Sequence, residues 1–102
     1  MNKNELANLN ATAKTVTKSA THGPAVASLG KHGRLKMTIN KKTGERRLKL
    51  WVGGIAGDSF VDAVYDAFKI PPGTVRRFWL NPTETTPDIE ITWNEEVHIV
   101  GH

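Results

Sequence analysis

The tightest constraint on this chain is a pair of alternating runs joined by a short polar turn. Leu35, Met37 and Ile39 alternate with Lys36, Thr38 and Asn40, and Leu48, Leu50 and Val52 alternate with Arg47, Lys49 and Trp51. A period of two puts every apolar residue of a run on one side of an extended strand. Lys41, Lys42, Thr43 and Gly44 lie between the runs, and Gly44 suits a turn position needing positive φ. The pattern predicts a β-hairpin with Leu35, Met37, Ile39, Leu48, Leu50 and Val52 toward a core.

The residues after the hairpin predict what covers it. Gly53, Gly54, Ile55, Ala56 and Gly57 form a flexible connector. Ser59 then suits a helix N-cap, with Asp62 three residues on in a capping-box-like pair. Phe60, Val64, Ala67 and Phe68 share one helical face, and Asp62, Asp66 and Lys69 the other. The early acids and late lysine suit the helix dipole. Pro71 and Pro72 end the helix. Residues 74–80 read as a strand whose buried face is ambiguous, because Val75 and Phe78 have opposite parity. Residues 81–87 form a polar loop with Pro82 and Pro87. Ile89, Ile91 and Trp93 alternate with Glu90 and Thr92 as a further strand. Val97, Ile99 and Val100 read as a last one after a turn at Asn94 and Glu95. The order is β-β-α-β-β-β, an α+β fold with a mixed sheet and one covering helix.

The run Phe68-Lys69-Ile70-Pro71-Pro72, followed by Thr74-Val75-Arg76-Arg77-Phe78-Trp79-Leu80, resembles the Ile-Pro-Pro turn and following strand of β-grasp (ubiquitin-like) chains. The resemblance covers residues 35–100 and implies that fold. Ubiquitin-like modifiers and sulfur carriers end in Gly-Gly, whereas the last residues here are Ile99, Val100, Gly101 and His102. Neither conjugation nor sulfur transfer is therefore expected, and the fold by itself names no function.

Residues 1–33 have a different texture, rich in Asn, Thr, Ala, Ser and Lys and without an aromatic residue. Leu6, Leu9, Ala13, Val16 and Ala20 recur at steps of three and four, one stripe of a helix. The stripe is thin, Thr and Asn are poor helix formers, and such a helix alone is marginal in water. The expectation is a basic arm, partly disordered or weakly helical, that orders by docking on the domain or on a second copy. Thr21, His22, Gly23 and Pro24, with Gly30 and Gly33, read as linker. Residues 1–33 are thus arm and linker, and 34–102 a single domain. The 38% hydrophobic content agrees with part of the chain lying outside the core.

Little here suits catalysis. No cysteine is present, which removes disulfides and thiolate chemistry. Ser19 and Ser28 lie in the arm, and Ser59 is explained as a cap. Asp62 and Asp66 sit one turn apart on a solvated face beside Lys69. His98 and His102, like His22 and His32, lack a Glu or Cys at a supporting spacing. Gly53, Gly54 and Gly57 do not match a phosphate-binding loop. The expectation is a non-enzymatic protein with no metal site and no cofactor. The N-terminus has no apolar h-region, and no apolar run is long enough to cross a bilayer, so a cytoplasmic location and no membrane partner are expected.

Charge points to a partner. Residues 1–51 hold eleven Lys or Arg against Glu5 and Glu45, a net +9, while residues 52–102 hold three basic residues against eight acids, a net −5. The hairpin's alternation sorts Lys36, Arg47, Lys49 and Trp51 onto its polar face, with Lys41 and Lys42 at the tip and Lys31 and Arg34 leading in. Arg46 adds to the second run, and Arg76 and Arg77 extend the patch if the third strand lies beside the hairpin. Such a ribbon neutralises phosphates, and an exposed Trp stacks on unpaired bases. The expected function is non-enzymatic binding of DNA or RNA through the phosphate backbone, by the hairpin face and the basic arm. Lysines on a strand also guard against edge-to-edge pairing, and Trp51 has an alternative place against a neighbour. The alternative function is a β-grasp-like protein-interaction or self-associating module, of the kind phages and mobile elements encode. There Glu84, Asp88, Glu90, Glu95 and Glu96 would meet the basic face of a second copy, giving a homo-oligomer through charge-complementary faces.

Overall fold

The computed structural model of the chain describes residues 2–53 and 58–94. It is α+β, with a five-stranded sheet and two helices. Helix α1 spans Lys3–Ala20. Its first turn is closed by a reciprocal cap: the Glu5 amide donates to Asn2 Oδ1 (2.8 Å) and the Asn2 amide to Glu5 Oε1 (3.2 Å). These bonds satisfy two amides that a helix start would otherwise leave unpaired. Leu9, Ala13, Val16 and Ala20 are buried, while Leu6 is exposed. Small side chains at 13 and 20 let the helix sit close to its neighbours, which are helix α2 (Asp58–Phe68) and strands β1 (Ala25–Ser28) and β2 (Gly33–Ile39).

The hairpin forms in the expected register. Strand β2 pairs antiparallel with β3 (Glu45–Val52), with Leu35 opposite Leu50 and Met37 opposite Leu48. Asn40 organises the turn. Its Oδ1 accepts from the amides of Lys42 (2.9 Å) and Thr43 (3.3 Å), and its carbonyl accepts from the amide of Gly44 (2.7 Å), whose φ is 77°. Gly33, at the start of β2, has φ 114°, and a Cβ there would meet the Trp51 carbonyl oxygen at 1.8 Å. Only glycine fits that approach.

Strand β5 (Ile89–Asn94) pairs with the far side of β3, and β4 (Arg76–Phe78) with the far side of β5, giving the order β1-β2-β3-β5-β4. Both helices cover one face. Leu35, Met37, Leu48, Leu50 and Ile91 are fully buried beneath them, as is Val64 on the inner side of α2, with Phe60 and Phe68 of α2 and Ile89 and Trp93 of β5 at the margins. Burial of each such aliphatic side chain contributes about 1.5–3 kcal/mol.

Several sequence expectations need correction. The sheet is antiparallel at all four pairings rather than mixed, because the chain returns from α2 through β4 and places β5 antiparallel to β3. Among the described residues the element order is α-β-β-β-α-β-β, in which the expected β-β-α-β-β series is preceded by α1 and β1. The expected disordered or weakly helical arm is a capped helix docked on the sheet and α2, which supplies the tertiary burial its weak propensity lacks. The expected linker contains β1 and a 3-10 turn, Gly30–His32. Helix α2 begins at Asp58, so Ser59 lies inside it rather than capping it. The strand read over residues 74–80 is regular only at Arg76–Phe78. The strand read at Val97, Ile99 and Val100, and most of the glycine connector, lie outside the described residues.

Candidate nucleic-acid interface

The face of the sheet opposite the helices carries no helix or second sheet among the described residues. One row of side chains crosses all five strands on it: Val26, Lys36, Lys49, Glu90 and Arg77, each opposite the next. On one side of that row lie Ser28, Arg34 and Trp51. On the other lie Thr38, Arg47 and Thr92. The open face thus gathers Arg34, Lys36, Arg47, Lys49 and Arg77. The acids among them are Glu90, 3.9 Å from Arg47 Nε, and Glu45, 3.4 Å from an Arg47 terminal nitrogen.

The loop at residues 79–88 folds over one end of this face. Trp51 Nε1 donates to the Thr83 carbonyl (2.7 Å), and an Arg34 terminal nitrogen donates to the Glu84 carbonyl (3.0 Å). The Arg34 guanidinium lies over the Trp51 ring, 4.2 Å from its centroid. Asp88 accepts from the Val52 amide through Oδ2 (2.8 Å), which anchors the loop to the end of β3. Trp51 is consequently half-buried, with its ring N–H and one face engaged. Arg34 remains exposed.

The other candidate residues divide between places. Lys41 and Lys42 are exposed at the hairpin tip, next to the open face. Arg46 has the opposite parity and turns to the helix side. There it lines a groove of about 790 Å³ with Lys14, Lys18, Tyr65, Lys69 and Trp93. Lys31 also leaves the open face; its Nζ is 3.7 Å from Glu5 Oε2 at the start of α1. Arg76 and Arg77 do not adjoin the hairpin, because β5 intervenes. Only Arg77 shares the open face. Arg76 points to the helix side, 5.4 Å from the Tyr65 ring centroid. The sequence allowed Trp51 a place against a neighbour but did not identify the loop as that neighbour, for which only the acidic and Pro-bounded composition of residues 81–88 gave any signal. Sequence reasoning also missed the lysines of α1 in the groove.

A second cluster ties α1 to the sheet. His32 Nε2 hydrogen-bonds Glu5 Oε2, and the His32 ring stacks on Phe60 at 5.3 Å. The hydrogen bond from His32, then that from the Asn2 amide and the charge of Lys31, hold the Glu5 carboxyl down at about 2. Among the described residues no group of three or more His, Asp or Glu is placed to hold a metal ion, and no helix is long and apolar enough to cross a membrane. No protein-family model, curated protein or solved structure matches the chain.

Proposed function

We propose that this protein binds nucleic acid without catalysing a reaction, through the open face of its sheet. The observation that supports the reading is the direct opposition of Lys36 and Lys49 at the centre of that face, flanked by Arg34, Arg47 and Arg77. Like charges set opposite one another destabilise a sheet, and an anion lying across them removes the cost. Lys36 and Lys49 stand one strand separation apart, about 4.8 Å, close enough for one phosphate to lie between them. Trp51 is committed to Arg34 and Thr83, so base stacking on it is a minor term and binding is largely indifferent to sequence. The arm joins this reading only indirectly, because α1 lies on the other side of the sheet.

A fluorescence anisotropy titration with labelled oligonucleotides at several salt concentrations tests the proposal. Four or five phosphate contacts predict a log–log salt slope of about −3 to −4.5. Reversal of Lys36, Arg47 and Lys49 to Glu should abolish binding while the protein stays folded. Absence of binding at low salt, or binding indifferent to those reversals, refutes it.

A further inference from the structure

The exposed large apolar side chains are unevenly placed. Val75 (75% exposed), Phe78 (64%) and Leu80 (96%) cluster on and beside β4, an edge strand of the sheet among the described residues. Every residue of β4 is exposed. The Trp79 amide donates to the Asp88 carbonyl (3.0 Å) and the Thr92 amide to the Val75 carbonyl (3.5 Å), with Arg77 opposite Glu90. Residues 75, 77 and 79 therefore turn their backbone groups inward, toward β5. In an antiparallel ladder the alternate residues, Arg76 and Phe78, turn theirs outward.

We propose that this edge pairs with the same edge of a second copy, antiparallel and centred on Phe78. An outward row that alternates N–H and C=O is matched by another polypeptide strand; a phosphate accepts from the N–H groups only. Charge then selects the register. Centring the two-fold axis on Arg76 or Arg77 sets identical arginines against each other, which is the usual way an edge resists self-pairing. Centring it on Phe78 sets ring against ring and each Arg77 against Trp79 of the second copy. A guanidinium facing an aromatic ring is electrostatically complementary, and the contact is isologous, each copy giving what it receives. Arg76 already makes such a contact within one chain, 5.7 Å from the Phe78 ring centroid.

The paired segment is short and buries far less than the roughly 800 Å² per partner of a standard interface, so the dimer is weak. Its two-fold axis stands perpendicular to the sheet, so both open faces lie on one side of a continuous ten-stranded sheet. One nucleic acid crossing both faces would hold the copies at high effective concentration. That last step rests on the proposed function; the pairing itself does not.

Sedimentation equilibrium of the full chain without nucleic acid, from about 10 μM to about 1 mM, reads the association directly. A concentration-dependent dimer is expected. Phe78→Pro deletes only the outward N–H and leaves the bonds to β5, while Phe78→Lys sets two ammonium groups at the axis. Each should raise the dissociation constant at least about tenfold. Circular dichroism checks that both variants fold, and if the proline variant does not, the lysine variant carries the test. Reversal of Lys36 and Lys49 to Glu should leave the dimer unchanged. A chain monomeric at the highest concentration, or a dimer that survives the Phe78 substitutions, overturns the proposal. Loss of oligonucleotide binding with the dimer intact would instead count against the open-face reading alone.

Discussion

Lys36 and Lys49 face each other across the β2–β3 pair, at the middle of the one face of the sheet that the helices leave open. Glu90 stands on the far side of Lys49, and Val26 on the far side of Lys36, so Lys36 has no acid beside it in the row. The pair has opposite effects on folding and on binding an anion. Lys36→Thr should therefore raise stability by about 0.2–1 kcal/mol in thermal or urea melts, while weakening oligonucleotide binding several-fold. A variant weaker in both would mean that the lysine stems contribute packing that outweighs the repulsion.

Leu48 lies on the central strand and is fully buried between Met37 and Ile91. Leu48→Ala should cost about 2–5 kcal/mol in urea unfolding, since the flanking strands cannot collapse onto the gap. Leu80→Ala, at a nearly fully exposed position, should change monomer stability by less than about 0.5 kcal/mol.

Gly33 and Gly30 separate two effects of glycine. Both have positive φ, 114° and 62°, but a Cβ at 30 meets nothing within 4 Å, whereas one at 33 meets the Trp51 carbonyl. Gly30→Ala should cost about 1–2 kcal/mol from backbone conformation alone. Gly33→Ala should cost distinctly more, because β2 must part from β3 to admit the methyl group. Equal losses in a pair of thermal melts would contradict the close approach.

The Glu5 carboxyl is held at about 2, below its ordinary 4.5, chiefly by the hydrogen bond from His32. A depressed carboxyl contributes stability that is complete above the unfolded value and is lost as pH falls through the folded one. The stability difference between the wild type and Glu5→Gln should thus shrink as pH falls from about 4.5 toward about 2. Far-UV circular dichroism of α1 across that window checks it. A difference that does not change with pH would assign the clasp to packing of His32 on Phe60 instead.

The hairpin and the face of each of its residues were legible because a period of two survives any tertiary context, and Leu35, Met37, Leu48 and Leu50 all went where parity sent them. The same parity separates Arg46 from Arg47, which a tally of basic residues had merged. The stripe of α1 was legible, but its docking was not. Propensity describes an isolated helix, and the burial of Ala13 and Val16 depends on β1, β2 and α2, which an isolated helix lacks. Strand β1 was missed because Ala-Val-Ala-Ser carries almost no β signal and is held by pairing with β2. The place of Arg77 was undecidable from sequence, because it depends on β5 entering between β3 and β4.

The position of α1 before the hairpin has a consequence for synthesis. A ribosome makes the helix first, then the two strands it packs beside, and only later α2 and β5. During that interval β3 has its inner face formed and the side that takes β5 unpaired, a state prone to stick to other nascent chains. Leu9, Ala13 and Val16 are already outside the tunnel by then and supply an early cover. Removing the helix should accordingly harm the yield of soluble chain during translation more than its loss of equilibrium stability would suggest.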